Sequence, residues 1–332
     1  MELQAKTRTT KTSVLHRNLS VGAVYLFVVV LLIFGRIMAS DFLSAANLLQ
    51  VVRDVSILGI VAVGVAFITY SGHYVDLSIP AIMSVSGIIT VALLPHGFAI
   101  AMLAGLAMGT AMGMINGVIV GYLRLNPIIW TLAALSVFDG VMRHAYGGKW
   151  IYAQKGTIEG SLFSGLYRAD LGGVPVVVLL FAGFALICHF LMKHTGFGHQ
   201  LKMTGSSYET ARVTGINVRR IVMFAFVISG FASALGGIVK TSLSMYGDVE
   251  TGLTYDFQAI TAVVIGGTTL AGGRGSTIGV IGGVLVIGLL GRILPLIPGI
   301  GQDEQFIIRG LIFIAVVGLN MYALRKSGRS DI

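Results

Sequence analysis

Asp139 and Arg143 stand four residues apart in an apolar run, a spacing that sets both on one face of a helix. A charged pair so placed acts first as a mutual salt bridge, or alternatively as a polar lining for a hydrophilic solute. Asp76 follows a Gly-containing break, Ser71-Gly72-His73-Tyr74-Val75-Asp76-Leu77-Ser78. Its carboxylate is suited to accept from backbone N–H groups freed at the break, or to touch a solute. Arg292 and Arg309 interrupt other apolar stretches. Ionisable side chains in such runs need a partner, a cavity or a route to the interface, and Arg309 has Asp303 and Glu304 within reach in sequence. Enzyme chemistry has no comparable support. There is no G-x-x-x-x-G-K-[ST] phosphate loop and no H-E-x-x-H pair; Gly272-Gly273-Arg274-Gly275 is Gly-rich, but Lys and Ser/Thr do not follow in register. The seven histidines form no metal-like cluster, and the one cysteine, Cys188, rules out an internal disulfide. No cofactor or metal is expected.

The elements that must position these residues are membrane helices. Charged residues are 11% of the chain and hydrophobic ones 55%, against roughly 25% charged in a soluble domain. Apolar runs fall at about 19–38, 56–70, 79–94, 98–120, 126–146, 174–192, 221–240, 257–270, 276–294 and 305–324. The expected fold is therefore an all-α polytopic membrane protein of about ten spans. Its apolar stretch Leu19 to Phe34 is followed by Arg36 rather than a small-residue cleavage site, so the first run reads as a retained span. With the N-terminus inside, 14 of the 23 lysines and arginines fall on the cytoplasmic side, which satisfies the positive-inside rule. Both termini are then cytoplasmic: a basic tail over 1–18, a membrane domain over 19–324 and a short tail over 325–332. Topology accounts for the net charge of +9, and no nucleic-acid partner is implied. The 45 glycines lie largely within apolar runs, where small residues let helices approach closely.

Two connectors are long. The basic island 193–220 carries Lys193, Lys202, Arg212, Arg219 and Arg220 against Glu209 alone, and falls on the cytoplasmic side. Its length and helix-like middle suit docking of a soluble partner. The loop 147–173 mixes glycine, aromatics and charges outside the membrane, as a short folded loop or a solvated connector would. Runs 56–70 with 79–94, and 257–270 with 276–294, are two pairs of short segments joined by Gly-containing polar breaks. Such pairs in corresponding halves point to a transport pathway, since irregular backbone persists at membrane depth only where it is buried or lines a cavity. Ordinary tight turns are the alternative.

These same segments carry a resemblance. Gly205, Ala211, Arg212, Gly215, Ile216 and Asn217 match a G-N-x-x-A-A-x-x-x-G-I-N pattern. Ala259, Ile260, Ala262, Val263, Gly266, Gly267, Thr268, Leu270, Gly272, Gly273 and Gly275 match A-I-A-A-V-V-x-G-G-T-S-L-x-G-G-x-G. Ser71, Gly72, Asp76, Leu77 and Ser78 are similar to S-G-G-I-D-L-S-V-G, and Asn126-Pro127 with Thr131-Leu132 to N-P-F-I-x-T-L. The four motifs, in order across residues 45–322, resemble the sugar-type permeases of ABC importers, the family of the ribose permease. The resemblance implies a permease subunit in a bacterial cell (inner) membrane that carries a monosaccharide or similar small polar solute inward. It further implies a second permease subunit in a homo- or heterodimer, cytoplasmic ABC ATPase subunits and an extracytoplasmic solute-binding protein. A short cytoplasmic helix over Gly205 to Gly215 would dock the ATPase, with Gly205, Glu209, Ala211, Arg212, Gly215 and Ile216 assigned to that coupling loop. The pathway would include Ser71, Gly72, Asp76, Ser78, Asp139, Gln258, Gly272 and Gly273.

Several positions depart from the pattern. His73-Tyr74 adds a residue and two bulky side chains, Pro80 stands where the motif ends in Gly, and Asp139 precedes Gly140 where the family often has Arg. Gln258 replaces an acidic residue expected before the A-I-A-A run. Where these positions line the pathway, they imply a solute other than ribose or a re-paired lining. A stand-alone secondary carrier of small polar solutes is the alternative function, in which the 193–220 island is only a linker.

Overall fold

The computed structural model describes residues 21–73 and 75–326. Residues 1–20, Tyr74 and the last six residues lie outside the described residues, and with them Lys6, Arg8, Lys11, Arg17 and Arg329, five of the 14 basic residues expected on the cytoplasmic side. Thirteen helices follow in order among the described residues. They are α1 (Val21–Met38), α2 (Ala45–Tyr70), α3 (Ile79–Leu93), α4 (Phe98–Gly121), α5 (Pro127–Tyr146), α6 (Ile158–Arg168), α7 (Val176–His194), α8 (Gly196–Ser206), α9 (Tyr208–Val213), α10 (Val218–Ser244), α11 (Tyr255–Ile265), α12 (Thr277–Ile293) and α13 (Gln302–Lys326). Seven of them, α1, α2, α3 with its 3-10 extension to His96, α4, α7, α10 and α12 with its extension to Leu296, are long and apolar enough to cross a membrane.

Helices α2 and α10 form the centre, and both are buried over most of their length. The row Gly105, Gly109, Gly113, Gly117 and Gly121 on α4, one residue per turn, faces α10 or, at Gly105, α3. A Cβ at Gly113 would lie 2.6 Å from the Phe226 carbonyl oxygen and 2.8 Å from the Gly230 Cα; at Gly117 it would lie 2.7 Å from the Met223 carbonyl oxygen. Only a residue without a side chain permits that approach, and dispersion between two backbones then replaces side-chain packing. The glycines read from sequence as close-approach residues therefore do hold the bundle together.

The first short pair expected from sequence does not exist as such. α2 does not begin near residue 56 but runs 26 residues from Ala45. Gln50, Arg53 and Asp54 mimic a polar boundary, yet all three have tertiary partners. Arg53 pairs with Asp170 at 2.6 Å, and Asp54 accepts from Gln50, Tyr167 and Arg292. Neutralised in this way, they let the helix continue. In the second pair α11 is short, at 11 residues.

The 147–173 connector is folded. β1 (Ile151–Tyr152) pairs antiparallel with β4 (Tyr246–Gly247), and β2 (Asp170–Leu171) with β3 (Val174–Pro175). Gly172 and Gly173, both at positive φ (60° and 83°), make the tight turn of the second hairpin. Between the ribbons α6 is capped by the Thr157 hydroxyl, which accepts from Gly160 N–H at 3.0 Å. Phe163 is buried on the inner face of α6.

Candidate functional site

At one end of the bundle, the C-terminus of α2, the C-terminus of α8 and the α11–α12 connector meet backbone to backbone. The turn after α2 has Gly72 at φ 83°, and the α11–α12 connector has Gly272 at φ 84° and Gly273 at φ 72°, conformations that favour glycine. Gly273 N–H donates to the Tyr70 carbonyl at 3.0 Å. A Cβ at Gly272 would stand 2.6 Å from Gly72 N and Cα, and one at Gly205 would overlap the Tyr70 carbonyl oxygen and lie 2.5 Å from Gly273 N. Gly205, expected in the coupling loop, and Gly72, Gly272 and Gly273, expected in the pathway, are thus one contact (the junction below). Ser71 is buried beside them and its hydroxyl donates to the Ile68 carbonyl at 2.7 Å.

The island is correspondingly different from a loop with one central helix. α7 continues to His194, α8 and α9 follow, and α10 starts at Val218. The Gly205–Gly215 helix is two helices, because Ser207 is extended (φ −164°, ψ 112°) and its hydroxyl accepts from Thr210 N–H at 3.2 Å as the cap of α9. Gly205 therefore belongs to α8, and Gly215, at φ 81°, to the turn after α9. Ala211 is fully buried and Ile216 packs against the core, whereas Glu209 and Arg212 are exposed. Sequence reading missed Val213, 81% exposed beside Arg212. The Arg124 guanidinium lies 5.5 Å over the Tyr208 ring, tying α9 to the α4–α5 connector.

Asp76 anchors a buried chain of hydrogen bonds. Its Oδ1 accepts from Ser78 N–H at 2.9 Å and from the Ser78 hydroxyl at 2.6 Å, which fixes the start of α3. Asn116 Nδ2 donates to Ser78 Oγ at 2.7 Å, and Trp130 Nε1 donates to Asn116 Oδ1 at 2.9 Å. Thr131 Oγ1 accepts from Leu77 N–H at 3.0 Å. The expectation that Asp76 bonds freed backbone N–H groups is met. Asn116 and Trp130 were not anticipated; a lone amide in the apolar run of α4 was the available signal, since it needs a partner when buried.

Asp139 and Arg143 form the expected salt bridge at 2.7 Å, on an exposed face of α5. Gln258 lines a cavity at the end of the bundle opposite the junction, together with Asp54, Tyr255, Arg292 and Arg309. Arg292 does pair with an acid, but with Asp54 across the bundle rather than a sequence neighbour. Burial pushes the neighbouring Tyr167 hydroxyl up to about 12, helped by the Asp54 carboxylate that it donates to at 2.6 Å. Arg309 does not pair with Asp303 or Glu304. Glu304 instead accepts from Gly301 N–H at 2.8 Å ahead of α13. Among the described residues no group of three or more His, Cys, Asp or Glu could hold a metal ion.

Known proteins identify the family. The family model described as "Branched-chain amino acid transport system / permease component" matches residues 47–317. The ribose import permease of Haemophilus influenzae is 30% identical over 305 residues, covering 91% of this chain and 94% of the relative. That of Bacillus subtilis is 32% identical over 298 residues, 89% and 91% of the two chains. The L-arabinose transport system permease of Escherichia coli is 31% identical over 295 residues, 88% of each. No solved structure matches the chain. The motifs at the junction, the matched length and the apolar helices agree: the chain belongs to this family of ABC-importer permeases, and is a multi-pass transport component of the bacterial cell membrane rather than an enzyme.

Proposed function

We propose that the chain is the membrane subunit of an importer for a monosaccharide-sized polar solute, worked by separate ATPases. In this reading it has ten spans, counting α5, α11 and α13, with both termini and the α8–α9 region in the cytoplasm. A second permease subunit completes the pathway, two ATPase subunits dock below, and a solute-binding protein delivers cargo at the face carrying α6 and the two ribbons. Glu209, Arg212 and Val213 on α9 form the ATPase contact: an exposed apolar side chain flanked by opposite charges, in keeping with docking surfaces that join an apolar centre to a polar rim.

The observation that carries this reading is the contact of Gly205 with both Gly72 and Gly273. A push on α8–α9 reaches the breaks after α2 and before α12 without slack, because three backbones touch. Helices so joined move as rigid bodies between packed arrangements rather than deforming continuously. Ser71, Gly72, Gly272 and Gly273 then serve as the moving joint of the pathway, and Asp76 and Ser78 fix the start of α3 beside it. Gln258 lies on the solute's route at the far end, and Asp139 on a face left to a partner subunit or lipid.

The test is co-purification of the cognate ATPase with R212E/V213D. Both side chains are exposed, so membrane insertion and thermal stability are expected to match the wild type while ATPase recovery falls by tenfold or more. Full recovery of the ATPase with a folded variant would refute the assignment.

A further inference from the structure

Among the described residues, the cavity opposite the junction holds a cation without a counter-ion. Asp54 is committed: its Oδ1 accepts from Gln50 at 3.1 Å and from Tyr167 at 2.6 Å, and its Oδ2 accepts from Arg292. The Arg309 side chain, half-buried on α13, forms neither a hydrogen bond nor a salt bridge among the described residues. One carboxylate faces two guanidinium groups, so the cavity is electropositive. Gln258 beside Arg309 is neutral, and its amide Nε2 is already donated to Thr254 Oγ1 at 2.7 Å, which leaves its carbonyl oxygen to accept. An arginine on a membrane helix is costly unless it meets a carboxylate, water or ligand. Here the fold supplies the space and leaves the charge open.

The space has a size and a shape. The cavity lined by Asp54, Tyr255, Gln258, Arg292 and Arg309 measures about 160 Å³, and a cavity of ~150 Å³ holds a benzene-sized molecule. A second cavity of about 380 Å³ shares Gln258 and Arg309 and is walled by Phe257 and Phe313, whose rings meet edge to face at 5.3 Å. Together they offer a guanidinium fork for a planar anion, an amide oxygen for a hydroxyl and aromatic walls for C–H faces.

We infer that Arg309 and Gln258 form a binding site for a carboxylate-bearing solute of monosaccharide size, so that the cargo class is sugar acids rather than neutral sugars. The inference rests on the permease reading for its meaning as cargo, while the binding itself does not. The carboxylate takes the place of the missing counter-ion on Arg309, and Gln258 accepts from a hydroxyl. A bidentate arginine–carboxylate contact favours the acid over its neutral counterpart by roughly tenfold to a hundredfold.

The full chain in lipid nanodiscs is titrated by calorimetry with galacturonate, galactose and inorganic phosphate. Saturable galacturonate binding is expected, with galactose and phosphate at least tenfold weaker. R309Q should weaken galacturonate at least tenfold. Q258D, which places an internal carboxylate beside Arg309, should do the same while keeping or raising thermal stability. Equal binding of galactose or phosphate, no saturable galacturonate binding at millimolar concentration, or full galacturonate affinity in both variants would overturn the site. In proteoliposomes with the ATPase and binding protein, ATP-dependent uptake of neutral sugar alone would reject the sugar-acid cargo and leave the permease reading standing. Galacturonate uptake that needs no ATPase would reject the permease reading and leave the binding site standing.

Discussion

Replacing Gly205 by alanine puts one methyl group into the three-way backbone contact. The new Cβ would overlap the Tyr70 carbonyl oxygen and lie 2.5 Å from Gly273 N. Both neighbours are main chain, so no side-chain rotation relieves the overlap, and α8 must separate from the connector by at least about 0.5 Å in a well-packed region. Overpacking of this kind costs roughly 1–3 kcal/mol, and immovable backbone on two sides puts Gly205 at the upper end. Parting the Gly273 N–H from the Tyr70 carbonyl adds about 1 kcal/mol, while alanine regains about 1 kcal/mol of helix propensity within α8. The net loss is about 3 kcal/mol. At about 2–4 °C per kcal/mol the apparent melting temperature falls by roughly 6–12 °C. The assay is thermal denaturation of the detergent-solubilised chain followed by size-exclusion chromatography. Gly183→Ala on α7, where nothing lies within 4 Å of the added methyl, is the matched control and should lose nothing. A Gly205→Ala protein as stable as that control would refute the close contact and the transmission argument built on it.

Two further predictions follow from the same geometry. Asn116→Ala strips a partner from the Ser78 hydroxyl and from the Trp130 indole N–H; leaving them unsatisfied should cost about 2–4 kcal/mol, and in a thermal double-mutant cycle Asn116→Ala with Trp130→Phe should couple by more than ~0.5 kcal/mol. In a Cys188→Ala background, cysteines introduced at the exposed positions Val213 and Lys155 should take impermeant maleimide from opposite sides of inside-out and right-side-out vesicles; labelling from one side would overturn the topology.

Sequence reading recovered those features that are local or periodic. The glycine row of α4 shows its own spacing, and Asp139 with Arg143 shows a helical pair. The break Ser71–Ser78 announces itself by composition. What it missed is tertiary. The first turns of α2 looked like a boundary because Gln50, Arg53 and Asp54 are polar, and their partners Tyr167, Asp170 and Arg292 lie more than a hundred residues away. Ser207 divides the island into α8 and α9, and its cap on Thr210 is a local signal that was available in Ser207-Tyr208-Glu209-Thr210. That Gly205 touches Gly273 is a matter of which segments the bundle brings together, and no spacing encodes it. Glu304 lies near Arg309 in sequence but turns to Gly301, so of the two expectations for Arg309, an acidic neighbour or a route to the interface, the first is not met.

Whether this chain moves solute only under ATPase drive is decided by uptake into proteoliposomes that hold it with its ATPase and binding protein. Solute should accumulate only when ATPase and ATP are both present, and R212E/V213D should abolish it. Uptake that proceeds at full rate without the ATPase would make the chain a stand-alone carrier and refute its role as an importer subunit.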